Sequence, residues 1–305
     1  MAPEDILAHK PRVLSQAQRE HYFATGSLAA AGVIPNDWLQ RLIDRSRAFI
    51  EISRARIKSD EEFDLGLQHS AATPHVRRLR ALVDRHPDFW AFARESPLAD
   101  IAADLVGPDV KFHSSKLNYK WPGTGEVVKW HQDIPAWPHT NYTPCTAGTY
   151  IHDCNREQGP MGFIPGSHNG PIYSEYDADG RWTGCLTKDD AATLDLSKVV
   201  WLEAPAGSIT IHNCRSLHYS EPNNSPIARP LLLNVYSNAN AMPYTANPIP
   251  SQHSGAIVRG KPAKWAHHDA RPCLLPPNWA ATGYSSIFAK QQGEDKTAIA
   301  PDAMM

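Results

Sequence analysis

Residues 110–133 read VKFHSSKLNYKWPGTGEVVKWHQD, and this stretch decides the fold that the sequence predicts. Its first eleven residues alternate between polar and apolar types, which predicts a strand, and Trp-Pro-Gly ends that strand in a turn. Residues 126–132 predict a second strand, which carries His131 at its end. Because alternate side chains of a strand share a face, we expect His131 and Asp133 to point into one cavity and Gln132 to point away from it.

An imidazole and a carboxylate that face one cavity are two of the three ligands of a facial triad. Such a triad leaves about three coordination positions open and suits non-haem Fe(II). The pair alone is unspecific, because the chain contains 15 His and a second pair of this spacing, His267-His268-Asp269. That second pair follows every other motif, and we interpret it as part of a solvated loop.

Two histidines further along the chain are candidates for the third ligand. His212 and His218 both lie in residues 207–220, and Arg229 follows His218 by eleven positions, at the start of an apolar strand. An arginine that enters a barrel requires an anionic partner, because a buried, unpaired guanidinium is costly, and a dicarboxylate cosubstrate would supply one. Ser220 would add a hydroxyl donor to the same carboxylate. At this point both histidines remain candidates for the third ligand.

The composition argues against several classes of protein. The net charge is −2 and the isoelectric point is about 6.7, whereas a nucleic-acid-binding surface is usually basic. No stretch approaches the ~20 apolar residues of a membrane span, and the N-terminal residues lack the apolar core of a signal peptide. Five cysteines without C-x-x-C spacing indicate free thiols in a reducing compartment. We therefore predict a cytoplasmic protein that binds neither nucleic acid nor membrane, and we leave open whether it is a monomer or a dimer.

The hydrophobic pattern changes near residue 109. Before it, the periodicity is mostly helical and includes a predicted helix over residues 75–85. After it, short strands separated by Gly and Pro turns predict an antiparallel sandwich or barrel with the helices on one outer face. The sequence predicts one domain over 1–290, with a helical start (1–108), a β core (109–240) and C-terminal loops and a helix (241–290), followed by a polar tail (291–305). No role is assigned to the loop at 240–254.

Three motifs together resemble the phytanoyl-CoA dioxygenase family of Fe(II)- and 2-oxoglutarate-dependent oxygenases, to which ectoine hydroxylase is related. They are His131-x-Asp133, the run from Gly162 to His168 that ends in Pro-Gly-Ser-His, and His218-x-Ser220 with Arg229 eleven positions after the histidine. The resemblance extends from about residue 110 to residue 237. It implies an α+β, mainly β fold: a double-stranded β-helix, that is a cupin-like jelly-roll, with N-terminal helices packed on one face.

Carried over position by position, the resemblance implies that His131, Asp133 and His218 bind the iron. The spacing to Arg229 favours His218 over His212, which we interpret as a packed residue behind the site. It implies that Arg229 pairs with the distal carboxylate of 2-oxoglutarate and that Ser220 assists it. It implies no catalytic residue beyond the metal ligands.

Further positions match family roles around the same cavity. Asn118 matches a polar residue that contacts the cosubstrate, and Trp137 matches a residue that lines the substrate pocket, although it can also be a core residue. Lys116 faces the same way as Asn118 and would meet an anionic substrate group, or else lie at the rim. His168 is interpreted as structural. Tyr219 stands where the family usually has glycine, and the larger tyrosine side chain would narrow the cavity.

The resemblance implies a hydroxylase that uses O2 and 2-oxoglutarate to oxidise an unactivated C–H bond of a small molecule, with release of succinate and CO2. Asp133 favours hydroxylation over halogenation, while desaturation and cyclisation remain open. Two alternatives are a metal-binding, cupin-like hydrolase or isomerase and a non-catalytic binding module. An inward-facing Arg229 argues against the hydrolase or isomerase, and succinate release would exclude the binding module. The sequence does not identify the substrate.

Overall fold

Two antiparallel sheets form the centre of the computed structural model, which describes residues 2–284 and 286–294. In chain order, the strands of this described part are β1 (Ser27–Ala30), β2 (Phe63–Leu65), β3 (Val76–Arg80), β4 (Val110–Lys120), β5 (Val128–His131), β6 (Cys145–Tyr150), β7 (Met161–Phe163), β8 (Val200–Trp201), β9 (Ile209–Asn213), β10 (His218–Ser220), β11 (Arg229–Asn238) and β12 (Ile257–Arg259). The larger sheet has the order β1-β9-β6-β11-β4-β3-β2, with β12 also paired to β4, and the smaller has the order β5-β10-β7-β8. The predicted mainly β core is confirmed.

Most of the helices lie before β4 in the chain. The helices of the described residues are α1 (Pro3–Ala8), α2 (Gln16–Thr25), α3 (Asn36–Ser53), α4 (Leu82–Arg85), α5 (Pro87–Glu95), α6 (Pro97–Val106), α7 (Lys188–Ala192), α8 (Trp279–Thr282) and α9 (Ile287–Gln291). The first 108 residues therefore contain six helices, but they also contain three strands that extend the larger sheet. Among the helices named here, none combines the length and the apolar character that crossing a membrane requires.

Helix α6 follows directly from local sequence signals. The Ser96 hydroxyl caps it by accepting a hydrogen bond from the amide of Leu98 (3.3 Å), Pro97 occupies its first position, and Gly107 follows its last residue. Its apolar side chains, among them Ile101, are buried in the cluster that joins the helices to the larger sheet. The helix thus covers the outer face of that sheet, as predicted.

Strand β4 separates the helical layer from the central cavity. Phe112, Leu117 and Tyr119 belong to the buried cluster on the helical side. A β-bulge opposite Val235 and Tyr236 of β11 shifts the alternation inside the strand. As a result, four polar side chains of β4 line the cavity between the two sheets: Ser114, Lys116, Asn118 and Lys120.

The prediction of a helix over residues 75–85 is wrong. Residues Val76–Arg80 form β3, which pairs with β4 on one side and β2 on the other, and only Leu82–Arg85 is helical. Leu79 lies opposite Leu117 of β4, and both are buried in the core cluster. This long-range pairing outweighs the local helical preference of the basic residues, and it turns Arg78 towards the cavity.

The C-terminal part of the chain closes one side of the cavity. The loop at 240–254, to which the sequence assigned no role, contributes Pro248 and Ile249 to the cavity wall, and its His253 stacks on Trp90 with ring centroids 4.0 Å apart. In the polar tail predicted for 291–305, Gln291 ends α9. Residues 295–305 of that tail lie outside the described residues.

Candidate active site

The structure brings His131, Asp133 and His218 together. One potential ligand atom from each of the three lies within 4.8 Å of the others, and all three residues are buried. His131 of β5 and His218 of β10 are directly opposite each other in the smaller sheet. In the described part of the chain, no other group of three such side chains has metal-binding spacing. The candidate site is therefore formed across two neighbouring strands.

Asp133 reaches the site in a different way from that predicted. Strand β5 ends at His131, and Asp133 has helical backbone angles (φ −76°, ψ −36°) before the 3₁₀ turn Ile134–Ala136. The amides of Asp133 and Ile134 both donate to the carbonyl of Cys214, at 3.0 and 2.9 Å. Convergence with His131 thus depends on this anchored turn, so the prediction that strand alternation aligns the two side chains is wrong. The side-chain amide of Gln132 donates to the carbonyl of Arg215 (2.7 Å).

Backbone carbonyls fix the tautomers of both histidines. His131 Nδ1 lies 2.8 Å from the carbonyl oxygen of Lys129, and His218 Nδ1 lies 2.9 Å from that of Ser216. A neutral imidazole that donates from Nδ1 keeps the lone pair of Nε2 available for a metal. Burial lowers the pKa of His131 to about 4 and the pKa of His218 well below its ordinary value, so both rings are neutral at pH 7.

Two neighbours hold the carboxylate of Asp133 in one orientation. Its Oδ2 accepts hydrogen bonds from Thr146 Oγ1 (2.6 Å) and from His212 Nε2 (3.1 Å). Burial acts to raise the pKa of this carboxyl, but the hydrogen bond from His212 and the adjacent histidines hold it well below its ordinary range. No described residue donates to Oδ1, which therefore stays available as a ligand. His212 lies behind Asp133, in the position that the sequence analysis favoured for it.

This donor set fits a divalent transition metal. Two neutral imidazoles and one ionised carboxylate form a 2-His-1-carboxylate triad, the arrangement typical of non-haem Fe(II). Carbonyl, hydroxyl and imidazole groups behind the ligands orient all three, as metal sites require. The residues present thus suit Fe(II) in charge, protonation and orientation.

The hydrogen bond from His212 to Asp133 leads to a first prediction. Replacing His212 with glutamine should weaken Fe(II) binding by about 10–100-fold, the usual effect of removing a group that orients a ligand. Anaerobic calorimetric titration with Fe(II) measures the affinity, and His267→Gln, on an exposed loop, is the matched control. An affinity equal to that of the unmodified protein would show that His212 does not orient the carboxylate.

A second cluster of cations lies in the same cavity. Arg229 is 4% exposed, its Nη2 donates to the carbonyl of Gly159 (2.8 Å), and its Nε has no hydrogen-bond partner in the part of the chain that the structure describes. Lys120, opposite Arg229 in the sheet, donates from Nζ to the carbonyls of Glu126 (2.9 Å), Ser220 (3.2 Å) and Glu221 (2.5 Å). Within the described residues, no carboxylate forms an ion pair with either. The cavity thus offers a guanidinium for an external anion.

The remaining predicted residues also line this cavity. Asn118, Lys116 and Trp137 all border it. Asn118 Oδ1 accepts a hydrogen bond from Arg78 Nε at 2.9 Å. Burial, together with the nearby Arg78, lowers the pKa of Lys116 to about 8. Trp137 serves both as cavity wall and as a core residue, since it packs in a small buried cluster with Ile134.

Tyr219, which the sequence analysis expected to narrow the cavity, is one of the residues that border it. Its ring stacks on Trp130 with centroids 4.0 Å apart and lies against Trp201. A Cβ on Gly162, on the neighbouring strand β7, would come within 2.7 Å of the Tyr219 ring. The glycine at 162 therefore makes room for the tyrosine at 219.

The Pro-Gly-Ser-His turn connects the site to the helical layer. Gly166 adopts φ +80°, a conformation that favours glycine, and its amide donates to Thr25 (2.7 Å). The Ser167 hydroxyl accepts a hydrogen bond from the amide of Leu217 (2.9 Å), directly before β10. His168 Nε2 lies 3.1 Å from the carbonyl of Phe23. The turn thus fixes the start of the strand that carries His218, a structural role.

The other His-x-Asp pair has a different environment. Asp269 pairs with Arg271 at 2.7 Å, and His267 and His268 are exposed. This agrees with its interpretation as a loop.

Sequence reasoning missed several residues of the cavity. Lys120 shares the period-two alternation of Lys116 and Asn118, so the pattern contained a signal for it. Arg78 lies in the region that was incorrectly predicted to be a helix, so it was not predicted to face the cavity. Glu175 and Tyr284 come from loops distant in the chain, and no local pattern marks them. Glu175 is buried, accepts a hydrogen bond from the amide of Gln132 (3.1 Å), and burial raises its pKa to about 8.

Comparisons with known proteins agree with this geometry. A sequence profile of the family described as phytanoyl-CoA dioxygenase (PhyH) matches residues 22–231. A probable alpha-ketoglutarate-dependent hypophosphite dioxygenase of Stutzerimonas stutzeri is 29% identical and covers 80% of this chain and 85% of its own length. An ectoine dioxygenase of S. stutzeri strain A1501 is 26% identical over 68% of this chain and 72% of its own length. The crystal structure of EctD from S. alaskensis with bound Fe has a TM-score of 0.63 at 20% identity, covering 88% of this chain and 91% of that one, and so shows the same fold.

Proposed function

The chain belongs to the phytanoyl-CoA dioxygenase family, and we propose that His131, Asp133 and His218 bind its Fe(II). It is an Fe(II)- and 2-oxoglutarate-dependent dioxygenase that hydroxylates a small molecule. When bound, the iron and 2-oxoglutarate activate O2, and 2-oxoglutarate is converted to succinate and CO2 as the substrate is oxidised. The protein supplies positions and electrostatics for this chemistry.

The observation that carries the site assignment is the buried guanidinium of Arg229 beside the triad. A buried cation without a carboxylate partner is unfavourable unless a ligand supplies the anion. The distal carboxylate of 2-oxoglutarate fits this requirement through a bidentate contact, with Ser220 at the same end of the cavity. A hydrolase or isomerase with the same triad would have no use for this arginine.

Residues of β4 and its neighbours organise the cosubstrate end of the cavity. Lys120 joins the Glu126 carbonyl, just before β5, to the adjacent carbonyls of Ser220 and Glu221 at the end of β10, which holds these strand ends beside Arg229 in place. Asn118 lies between this end and the metal ligands and is assigned to the cosubstrate. Apolar side chains such as Met161 and Leu231 line the cavity and exclude water from the reacting groups.

The substrate proposed here is a small molecule, and the enzyme is proposed to act in the cytoplasm without nucleic acid or membrane. Relatives named for hypophosphite and ectoine oxidation support a small substrate. All five cysteines are free, and four of them are buried, which suits a reducing compartment. Trp137 is assigned to the wall of the substrate pocket.

Direct measurement of cosubstrate binding and turnover tests the proposal. Purified enzyme loaded with Fe(II) should bind 2-oxoglutarate in the absence of O2, and calorimetry measures this binding. It should then form succinate when O2 and a panel of small substrates are added. Omission of Fe(II) should remove both signals, and an absence of 2-oxoglutarate binding to the iron-loaded enzyme would contradict the proposed function.

A further inference from the structure

Two further cations face the same cavity, on the strand pair β3 and β4. Arg78 lies opposite Asn118, and Lys116 lies one register step away, opposite Arg80. Both Arg78 and Lys116 line the cavity that contains the candidate metal ligands. Arg78 is 2% exposed, so its charge is almost completely removed from bulk water. These two residues, Arg78 and Lys116, are called the cation pair below.

In the described part of the chain, the hydrogen bonds and ring contacts of the cation pair are all with neutral groups. The Arg78 guanidinium donates to Asn118 Oδ1 (2.9 Å), lies 5.5 Å from the ring centre of Phe288, and is hydrogen-bonded to Tyr284. Lys116 makes no hydrogen bond or ion pair within residues 2–284 and 286–294. Amide, phenol and ring contacts orient a cation without neutralising it, so two like charges remain side by side in a low-dielectric cavity.

The cosubstrate cannot account for the cation pair. One carboxylate of 2-oxoglutarate is assigned to Arg229 and the other is neutralised at the metal. Lys116 and Lys120 are four residues apart on one face of β4, which separates their Cα atoms by about 13 Å. Lys116 is therefore displaced along the strand from the end where Lys120 and Arg229 meet, and Arg78, opposite Asn118, lies between the two levels. With both carboxylates of 2-oxoglutarate already assigned, the anion of the cation pair is inferred to come from another molecule.

The C-terminal segment encloses this part of the cavity. Tyr284 and Phe288 line the cavity and contact Arg78. Glu294, which follows α9, pairs with Arg77 of β3 at 2.8 Å, and the Gln291 side chain accepts a hydrogen bond from the amide of Lys129 (2.7 Å). The segment thus anchors both to β3 and to the strand that carries His131. Exclusion of water strengthens the attraction between the cation pair and an anion and limits the size of what can bind.

We propose that Arg78 and Lys116 bind the anionic head group of the primary substrate, which is therefore a small oxyanion-bearing molecule. This inference rests on the proposed function, because it places the substrate beside the cosubstrate and the iron. Asn118 orients the guanidinium of Arg78, and the head group neutralises both cations. The bond to be oxidised then lies towards His131, Asp133 and His218. A phosphorus oxyanion and a carboxylate share the required chemistry.

Binding calorimetry on the full chain tests this subsite without turnover. The enzyme is loaded with Mn(II) and 2-oxoglutarate in the absence of O2. It is then titrated with hypophosphite and methylphosphonate as phosphorus oxyanions, acetate as a carboxylate, and dimethyl methylphosphonate as a neutral control. We expect at least one anion to bind and the neutral ester not to bind. Comparison of the phosphorus and carboxylate arms identifies the preferred head group.

Variants then separate the subsite from the cosubstrate site. Lys116→Gln and Arg78→Gln should each raise the Kd of the bound anion by about 10–100-fold, the usual effect of losing a charged hydrogen bond. Lys116→Gln, which removes no contact of the cosubstrate residue Asn118, should leave the Kd of 2-oxoglutarate unchanged. Arg229→Gln should raise the Kd of 2-oxoglutarate and leave the Kd of the anion unchanged. Because Arg78 is buried, thermal unfolding is measured for its variant, and Lys116, which has no hydrogen bond to lose, carries the test if the Arg78 variant does not fold.

The possible failures are distinct. If 2-oxoglutarate does not bind the metal-loaded enzyme, the proposed function itself is wrong. If 2-oxoglutarate binds but none of the three anions does, the subsite is not an anion site. If Lys116→Gln raises the Kd of 2-oxoglutarate and leaves that of the anion unchanged, the cation pair belongs to the cosubstrate site, and the inference is overturned.

Discussion

Replacing either His131 or Asp133 with alanine should abolish Fe(II)-dependent succinate formation. Each change removes one of the three proposed protein ligands, and the remaining two would not hold the metal with its open positions in place. Loss of a group behind the ligands already costs about 10–100-fold, so we expect a loss greater than about 100-fold for a ligand itself. Succinate production and the Fe(II) content of the purified variants are the measurements.

The chain provides its own matched control for this experiment. His267→Ala and Asp269→Ala alter a pair of the same spacing on a loop, where Asp269 pairs with Arg271. Both control variants should keep the iron content and turnover of the unmodified protein. Normal turnover in His131→Ala or Asp133→Ala would remove these residues from the metal site.

Replacing Arg229 with alanine should raise the KM for 2-oxoglutarate by about 10–100-fold. Among the described residues, the buried guanidinium has only the Gly159 carbonyl as hydrogen-bond partner, so the proposed contact with the distal carboxylate would be a charged hydrogen bond worth ~1.5–3 kcal/mol. Initial rates of succinate formation over a range of 2-oxoglutarate concentrations give the KM. Arg229→Lys keeps the charge but loses the bidentate geometry, so its KM for 2-oxoglutarate should lie between those of the unmodified protein and Arg229→Ala.

A surface arginine serves as the control for the second prediction. Arg181 is paired with Asp179 at 3.0 Å on an exposed turn, and Arg181→Ala should leave the KM unchanged. If Arg229→Ala also left the KM unchanged, 2-oxoglutarate would have to be held at another end of the cavity.

Local sequence patterns predicted the parts of the structure that depend on neighbouring residues. Strand β4 has the bounds that its alternation predicts, Val110–Lys120, and α6 begins at the residue that its cap predicts. The position of Arg229 in the cavity was likewise predicted, from the apolar strand that it begins and from its eleven-residue spacing to His218. In each case the signal lies within a few residues of the feature, so one segment of sequence contains it.

The sequence could not predict features that long-range contacts create. Asp133 is directed to the site by hydrogen bonds to Cys214, about 80 residues away along the chain, and strand periodicity cannot describe such a turn. Residues 76–80 form a strand because β4 offers a pairing edge, although their own composition suits a helix. Arg78 therefore entered the cavity without a local signal. The surroundings of the cation pair depend in the same way on the C-terminal segment.

The most direct test of the account is the position of the iron itself. Crystals grown without O2 in the presence of Fe(II) and 2-oxoglutarate should give one strong anomalous difference peak at the iron edge. We predict that this peak lies within bonding distance of His131 Nε2, His218 Nε2 and Asp133 Oδ1, with 2-oxoglutarate extending from it to Arg229. A peak coordinated by other side chains, or these three side chains lying apart from one another, would contradict the account.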